Sequence, residues 1–253
     1  MKARRELTVG RWGWAAAVLL LAPGLALASI GKISALEGTA KRTNGGQTQE
    51  LQVGSEIELN DTIDVGPASN LKLLLTDESV IMLSEGSRLI IDEATFEGQD
   101  RKGFAARLGF GKIWAKVKKA LAGSESKFEV QTDRAVAGVR GTIFRVDYEN
   151  TAKTMVPAQK LRMVVRVVEG RVVVSQMVRK AVKGQTPGGK PPKKGERKQV
   201  AAPQEISQEE WEKKFVELQA MKQVEVGEEL GSAQPLDTNA MKDAFGRFVD
   251  RNQ

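Results

Sequence analysis

Between residues 55 and 92 the chain reads "SEIELNDTIDVGPASNLKLLLTDESVIMLSEGSRLIID", with apolar residues at alternate positions and interruptions at Asn-Asp, Gly-Pro, Asp-Glu and Glu-Gly. Alternation of this kind predicts short half-buried strands, and the interruptions are turn chemistry. Ile57, Val65, Leu73, Ile81 and Leu89 stand eight residues apart, and Leu75, Leu83 and Ile91 keep the same step two positions on. Eight is even, so each repeat returns its apolar side chains to one face of the pleat. A strand of about five residues and a turn of about three, repeated, predicts a mainly β chain stacked as a meander or a β-solenoid-like coil.

The pattern continues less regularly. "FAARLGFGKIWAKVKKAL" sets Leu108, Ile113, Trp114 and Val117 on a strand that passes into a short helix or an edge strand. "SKFEVQT" and "GTIFRVDY" alternate again, and "KLRMVVRVVEGRVVVSQ" joins two apolar runs at Glu169-Gly170, a hairpin or a sharp corner. Past residue 204 the period changes to that of a helix. Ser207 with Glu210 forms a capping box, and Trp211, Phe215 and Leu218 line one helical face. A second short helix is expected from near Asp237, presenting Met241, Phe245 and Phe248. Such stripes pack on their own domain or dock on another molecule, so Trp211, Phe215 and Leu218 are candidate partner contacts.

Composition narrows the chemistry. The chain has 253 residues, 41% hydrophobic and 28% charged, which is globular. It has neither cysteine nor histidine, which removes disulfides, the usual nucleophile and neutral-pH base, and the best transition-metal ligands. No cofactor, metal or catalytic residue is expected. A carboxylate mechanism needs two convergent acids, whereas Asp61, Asp64, Asp77 and Glu85 all fall at predicted turns and read as solvated.

Residues 1–28 read as a secretory signal peptide. Lys2, Arg4, Arg5 and Arg11 form a positive head, "WAAAVLLLA" an apolar stretch, and "ALA" at 26–28 a cleavage site before Ser29. The apolar run is shorter than the roughly 20 residues of a membrane span, and no later stretch is long enough. A periplasmic or secreted chain is expected, an uncleaved anchor being the alternative. Without cysteine it is not a lipoprotein.

The net charge is +7, of which the segment 1–28 carries four basic residues and one acidic. "RKAVKGQTPGGKPPKKGERK", residues 179–198, holds eight basic residues against Glu196, so the rest of the exported chain is acidic. The positive charge is therefore one tract rather than a folded basic face, and nucleic acid is not an expected partner. Its prolines, glycines and like charges predict a linker over 179–203, dividing a β domain at 29–178 from a helical segment at 204–253. About 150 residues suffice for the β domain to fold alone. An envelope protein or an anionic envelope polymer is the partner class this arrangement suits.

One motif stands out, "VAGVRGTIFRVDY" from Val136 to Tyr148. Bare backbone beside a guanidinium suits an anion site, with Lys127, Arg134 and Arg145 as further donors. The reading preferred here is structural: Gly138, Arg140, Gly141 and Thr142 form a corner between close strands, with Arg140 reaching Asp133 or Asp147 and with Arg134 and Arg145 facing water.

Five segments in order, "GKISALEGTAKRTNGG", "LQVGSEIELNDTIDVGPASNLKLLLTDESVIMLSEGSRLII", "RLGFGKIWAKV", "FEVQTDRAVAGVRGTIFRV" and "VRVVEGRVVV", resemble the FecR domain of bacterial envelope regulators over about residues 30–178. The pattern Thr-x-x-Ala-x-Ala-x-Val-Arg-Gly-Thr-x-Phe is its most specific part, with Asp133-Arg134 where the family often has a proline. The resemblance implies a β-solenoid-type periplasmic domain that senses or binds protein. The best-known members place a cytoplasmic anti-sigma segment and a membrane span before this domain. Here only 29 residues precede it, so that activity is not carried over.

Overall fold

The structure, a computed structural model, describes residues 29–119, 126–150, 161–176 and 215–253. The expected signal peptide, the basic linker and Trp211 lie outside the described residues.

Two facing sheets enclose one apolar core. The first sheet runs β4 (Glu56–Ile57), β1 (Gly31–Glu37), β6 (Asn70–Leu75), β7 (Val80–Leu83), the end of β9 (Asp100–Lys116), β12 (Ile143–Asn150), β13 (Leu161–Glu169), β16 (Lys222–Val226) and β17 (Gln234–Pro235). The second runs β3 (Gln47–Glu50), β2 (Ala40–Asn44), β5 (Thr62–Val65), β8 (Arg88–Glu97), the start of β9, β10 (Lys127–Gln131), β11 (Ala135–Val139), β14 (Arg171–Gln176) and β15 (Phe215–Gln219). β9 belongs to both. It pairs with β8 and β10 through residue 110, and with β12 from Gly111 onward. Gly111 lies at φ +100°, and a Cβ there would sit 2.6 Å from the Ser87 Cα, so only glycine lets the strand pass from sheet to sheet at this point.

The eight-residue step is visible in the core. Ile57, Val65, Leu73, Ile81 and Leu89 are all buried, although they sit in different sheets. An even step keeps a side chain pointing inward whichever layer its strand joins. The step thus counts strand-and-turn units. It does not count coils, because every ladder among the described residues is antiparallel except β9 with β10, and neither sheet closes on itself. A mainly β chain is found; a solenoid is not. Aromatic rings join the layers: Phe104 stacks on Phe128 at 4.7 Å, and Phe128 meets Phe144 of the first sheet edge-on at 6.3 Å.

The C-terminal segment corrects an expectation. Phe215–Gln219 is β15, a strand, and the one α-helix among the described residues is α1 (Ala244–Asn252), preceded by a 3-10 turn at Asn239–Met241. Leu218 pairs with Val172 of β14 and is fully buried, while Phe215, Glu217 and Gln219 alternate outward. The spacing that suits a helix also suits period two from Val216 to Leu218. β14 had an open edge whose N–H and C=O groups only a strand could pair. The second expected helix is present: Phe245 and Phe248 of α1 join Met82 and Trp114 on the outer face of the first sheet.

Candidate functional site

Gly138 is a strand residue, opposite Glu129 on β10 and Val173 on β14, where a Cβ would make only ordinary contact, 3.9 Å from the Val173 carbonyl oxygen. The corner begins one residue after β11. The chain there leaves the second sheet for β12 of the first, and Gly141 takes φ +61° with Lys119 Cβ only 3.0 Å from where its own Cβ would be. The return crossing, from β13 to β14, turns at Gly170 with φ +86°, where a Cβ would come within 2.7 Å of the Gly141 carbonyl oxygen. Thr142 ties the two crossings together. Its hydroxyl donates to the Arg171 carbonyl at 2.8 Å and accepts from the Arg171 N–H at 3.3 Å. Gly141 and Thr142 therefore do what a structural corner requires.

Arg140 does not. Its side chain is exposed and forms no hydrogen bond or ion pair among the described residues. Asp147, one expected partner, is held by two other arginines. Arg140 instead borders a groove of about 480 Å³ with Lys127, Glu129, Gly138, Arg171 and Val173. Of the further donors considered for an anion site, Lys127 is present but pairs with Glu93 and Glu129, each at 3.3 Å. Arg171 pairs with Glu217 at 3.0 Å. The groove's other cations are thus matched by carboxylates.

Arg145 is on the opposite face of the molecule and is 1% exposed, against the expectation that it faces water. Its Nε donates to Asp147 Oδ1 at 2.6 Å, and its two terminal nitrogens grip both oxygens of Asp243, at 3.1 and 2.6 Å. Arg166 donates to the other oxygen of Asp147 at 2.6 Å, Lys112 reaches Asp243 at 3.0 Å, and the Arg145 guanidinium lies 5.3 Å from the Phe245 ring centre. Asp243 is the N-cap of α1 and accepts from the Gly246 N–H at 2.8 Å. Burial alone would raise the Asp243 carboxyl, but hydrogen bonds from Arg145, the Gly246 N–H and Lys112 outweigh it and hold the group well below the usual carboxylate range. Burial disfavours the charged Arg145, and its bonds to Asp243 and Asp147 more than compensate.

The acids read as solvated turn residues divide in the same way. Asp64 pairs with Arg88 near the surface, and Glu85 accepts from the Ala68 N–H at 2.9 Å. Asp61 and Asp77 are buried, which corrects that reading. Asp61 accepts from the Glu58 N–H and Asn44, both at 2.9 Å, and from Arg42. Asp77 is bonded to Ser79 and to Arg101, a buried arginine that lies 5.2 Å from the Phe128 ring centre. Burial pulls the Arg101 guanidinium below its ordinary value despite the Asp77 charge. Among the described residues no three acids gather as a metal would need. Of the candidate partner contacts, Phe215 is 40% exposed on β15 and Leu218 is inside the core.

Comparison with known proteins adds one assignment. Residues 61–173 match the family model described as FecR protein, a span that begins just before β5 and ends in β14. No curated protein matches. Two crystal structures of a candidate anti-sigma factor from Parabacteroides distasonis are similar, each 16% identical, with TM-scores of 0.43 and 0.45. The matches cover 70% and 72% of this chain and 60% and 64% of those, so the chain spans about three-fifths of the length of the solved structures it matches.

Proposed function

We propose that this chain, which carries a FecR domain over residues 61–173, is an exported signalling regulator that works by binding protein in the bacterial envelope and not by catalysis. The observation that carries the reading is the family match on a fold whose buried acids, Asp61, Asp77 and Asp147, are all engaged with arginines. Each of these acids is buried with both carboxylate oxygens already bonded to donors of the protein, so neither oxygen is presented to a substrate. Cleavage before Ser29 and release into the periplasm belong to the same proposal, on the order of charged head, apolar stretch and small-residue site. The outer face of the second sheet around Phe215 is the proposed contact, with Trp211 beside it in sequence.

The test is photo-crosslinking in the native host. The full chain carries a benzophenone amino acid at Phe215, or at Val53, which is 63% exposed and serves as control. Capture of one defined envelope protein from position 215 and not from 53 is the expected result. Equal labelling from both, or labelling of envelope polymer alone, would overturn the protein-binding reading in favour of a scaffold held by its basic tract. Intact mass of the recovered chain reports the processing; a start at Ser29 is expected, and a retained Met1 would replace the exported form with an anchored one.

A further inference from the structure

Between α1 and the outer face of the first sheet is a cavity of about 250 Å³, bordered on one side by Arg145 of the ion cluster. Trp114 and Ile143 of the sheet form its floor, Val168 and Met221 one side, and Met241 and Val249 the roof. Voids in protein interiors are normally smaller than a water molecule, and an apolar cavity of about 150 Å³ is enough to take up benzene. By that scale this one holds roughly ten non-hydrogen atoms.

Two features specify the occupant's polarity. Arg145 lines the cavity, but its Nε and both terminal nitrogens are bonded to Asp147 and Asp243, so it has no free direction for an incoming carboxylate. Asp250 also lines the cavity and disfavours an anion. Trp114 is 2% exposed, and its indole N–H has no acceptor among the described residues. The nitrogen keeps a small solvent contact where Trp114 lines the cavity, so a guest seated there must replace water as its acceptor. Met221, 52% exposed, stands at the rim and marks the side open to solvent.

We propose that this cavity binds a compact, neutral, largely aromatic molecule carrying one hydrogen-bond acceptor, seated on Trp114 beneath α1. The site joins the C-terminal segment to the first sheet, so occupancy stabilises their contact by mass action. It is independent of any protein partner on the second sheet.

Titration calorimetry on the full chain tests this with acetophenone, which has one ring and one carbonyl, against benzoate, its anionic counterpart of similar shape. Acetophenone is expected to bind saturably and to raise the melting temperature with concentration, and benzoate to bind at least tenfold more weakly. Val168→Phe and Val249→Phe each fill the space; where either melts below the parent, Val168→Leu replaces it. Filled variants are expected to melt no lower than the parent and to lose acetophenone binding at least tenfold. No saturable binding of acetophenone, equal binding of benzoate, or undiminished binding in folded, filled variants would each overturn the proposal.

Discussion

Arg140 and Arg145 are five residues apart, on either side of one crossing between the sheets, and their surroundings are opposite. Arg140, flanked by the glycine turn, reaches into solvent beside a groove whose other charges are matched. Arg145, in the middle of an ordinary alternating strand, is closed in by Asp147 on its own strand and by Asp243, 98 residues later. What makes an arginine structural here is the cover laid over it by a distant part of the chain. The glycines beside Arg140 serve the backbone and give the side chain nothing to bind.

That contrast is open to attack at several points. The largest effect is expected from removing the cover. A chain ended at residue 178 loses Leu218, Val224, Val226, Phe245 and Phe248, all buried. At about 1.5–3 kcal/mol for each side chain the loss approaches the whole stability of a typical domain. Such a fragment should show no cooperative transition in a calorimetric melt; a sharp one would mean that the β domain stands alone and that the C-terminal strands are an addition to it.

Next comes Arg145→Ala, which leaves Asp147 and Asp243 facing each other's charge without their shared partner, at a cost of about 3–5 kcal/mol in denaturant unfolding. A loss below about 1 kcal/mol, as for a surface ion pair, would show that the cluster is solvated.

Asp243→Asn keeps a capping side chain and removes the charge, so a smaller loss of about 1–3 kcal/mol is expected at neutral pH. The folded carboxyl is held below its unfolded value, so its contribution is complete above about pH 4, where the unfolded group ionises, and declines as pH falls toward the folded value. The gap between parent and variant should therefore narrow progressively below about pH 4. A gap independent of pH would assign the effect to packing of α1 and not to charge.

The smallest effects lie at the corner, and they separate its backbone from its side chain. Gly141→Ala places a Cβ at φ +61° against Lys119 and should cost about 1–2 kcal/mol. Arg140→Ala should change stability by no more than about 0.5 kcal/mol, as for other exposed positions. Comparable losses from both would restore Arg140 to the structural role that the motif first suggests.

Much of this was legible in the order of residues. Strand positions and inward faces follow from alternation alone, and the eight-residue step locates core residues correctly because parity survives a change of sheet. Which strands become neighbours is a matter of long-range pairing that alternation does not encode, so a coil and a two-layer arrangement read alike. The five residues Phe215–Gln219 satisfy both periods, and the open edge of β14 decides between them. Of the site, Gly141 and Thr142 were legible from local chemistry. Arg145, Asp61, Asp77 and Arg101 were not, since each is buried by partners on other elements. The one available signal was a charged residue at each of positions 145 and 147 on a strand otherwise rich in apolar residues, a pair that only a covering element would justify.

The pairing of β14 with β15 has a further consequence. Ser175 stands opposite Phe215, so residues 177–214, which contain the basic tract, begin and end on neighbouring strands of one sheet. The strands that follow the tract thus belong to the same two sheets as the strands that precede it. A single proteolytic cut within it would leave two pieces still held together by the β14–β15 and β13–β16 ladders and the shared core. The connection whose loss then matters is entropic: once unfolded, the two pieces diffuse apart, whereas the intact chain holds them at a high effective concentration. Nicked protein would keep its native size, and would betray the cut only when it failed to refold at high dilution.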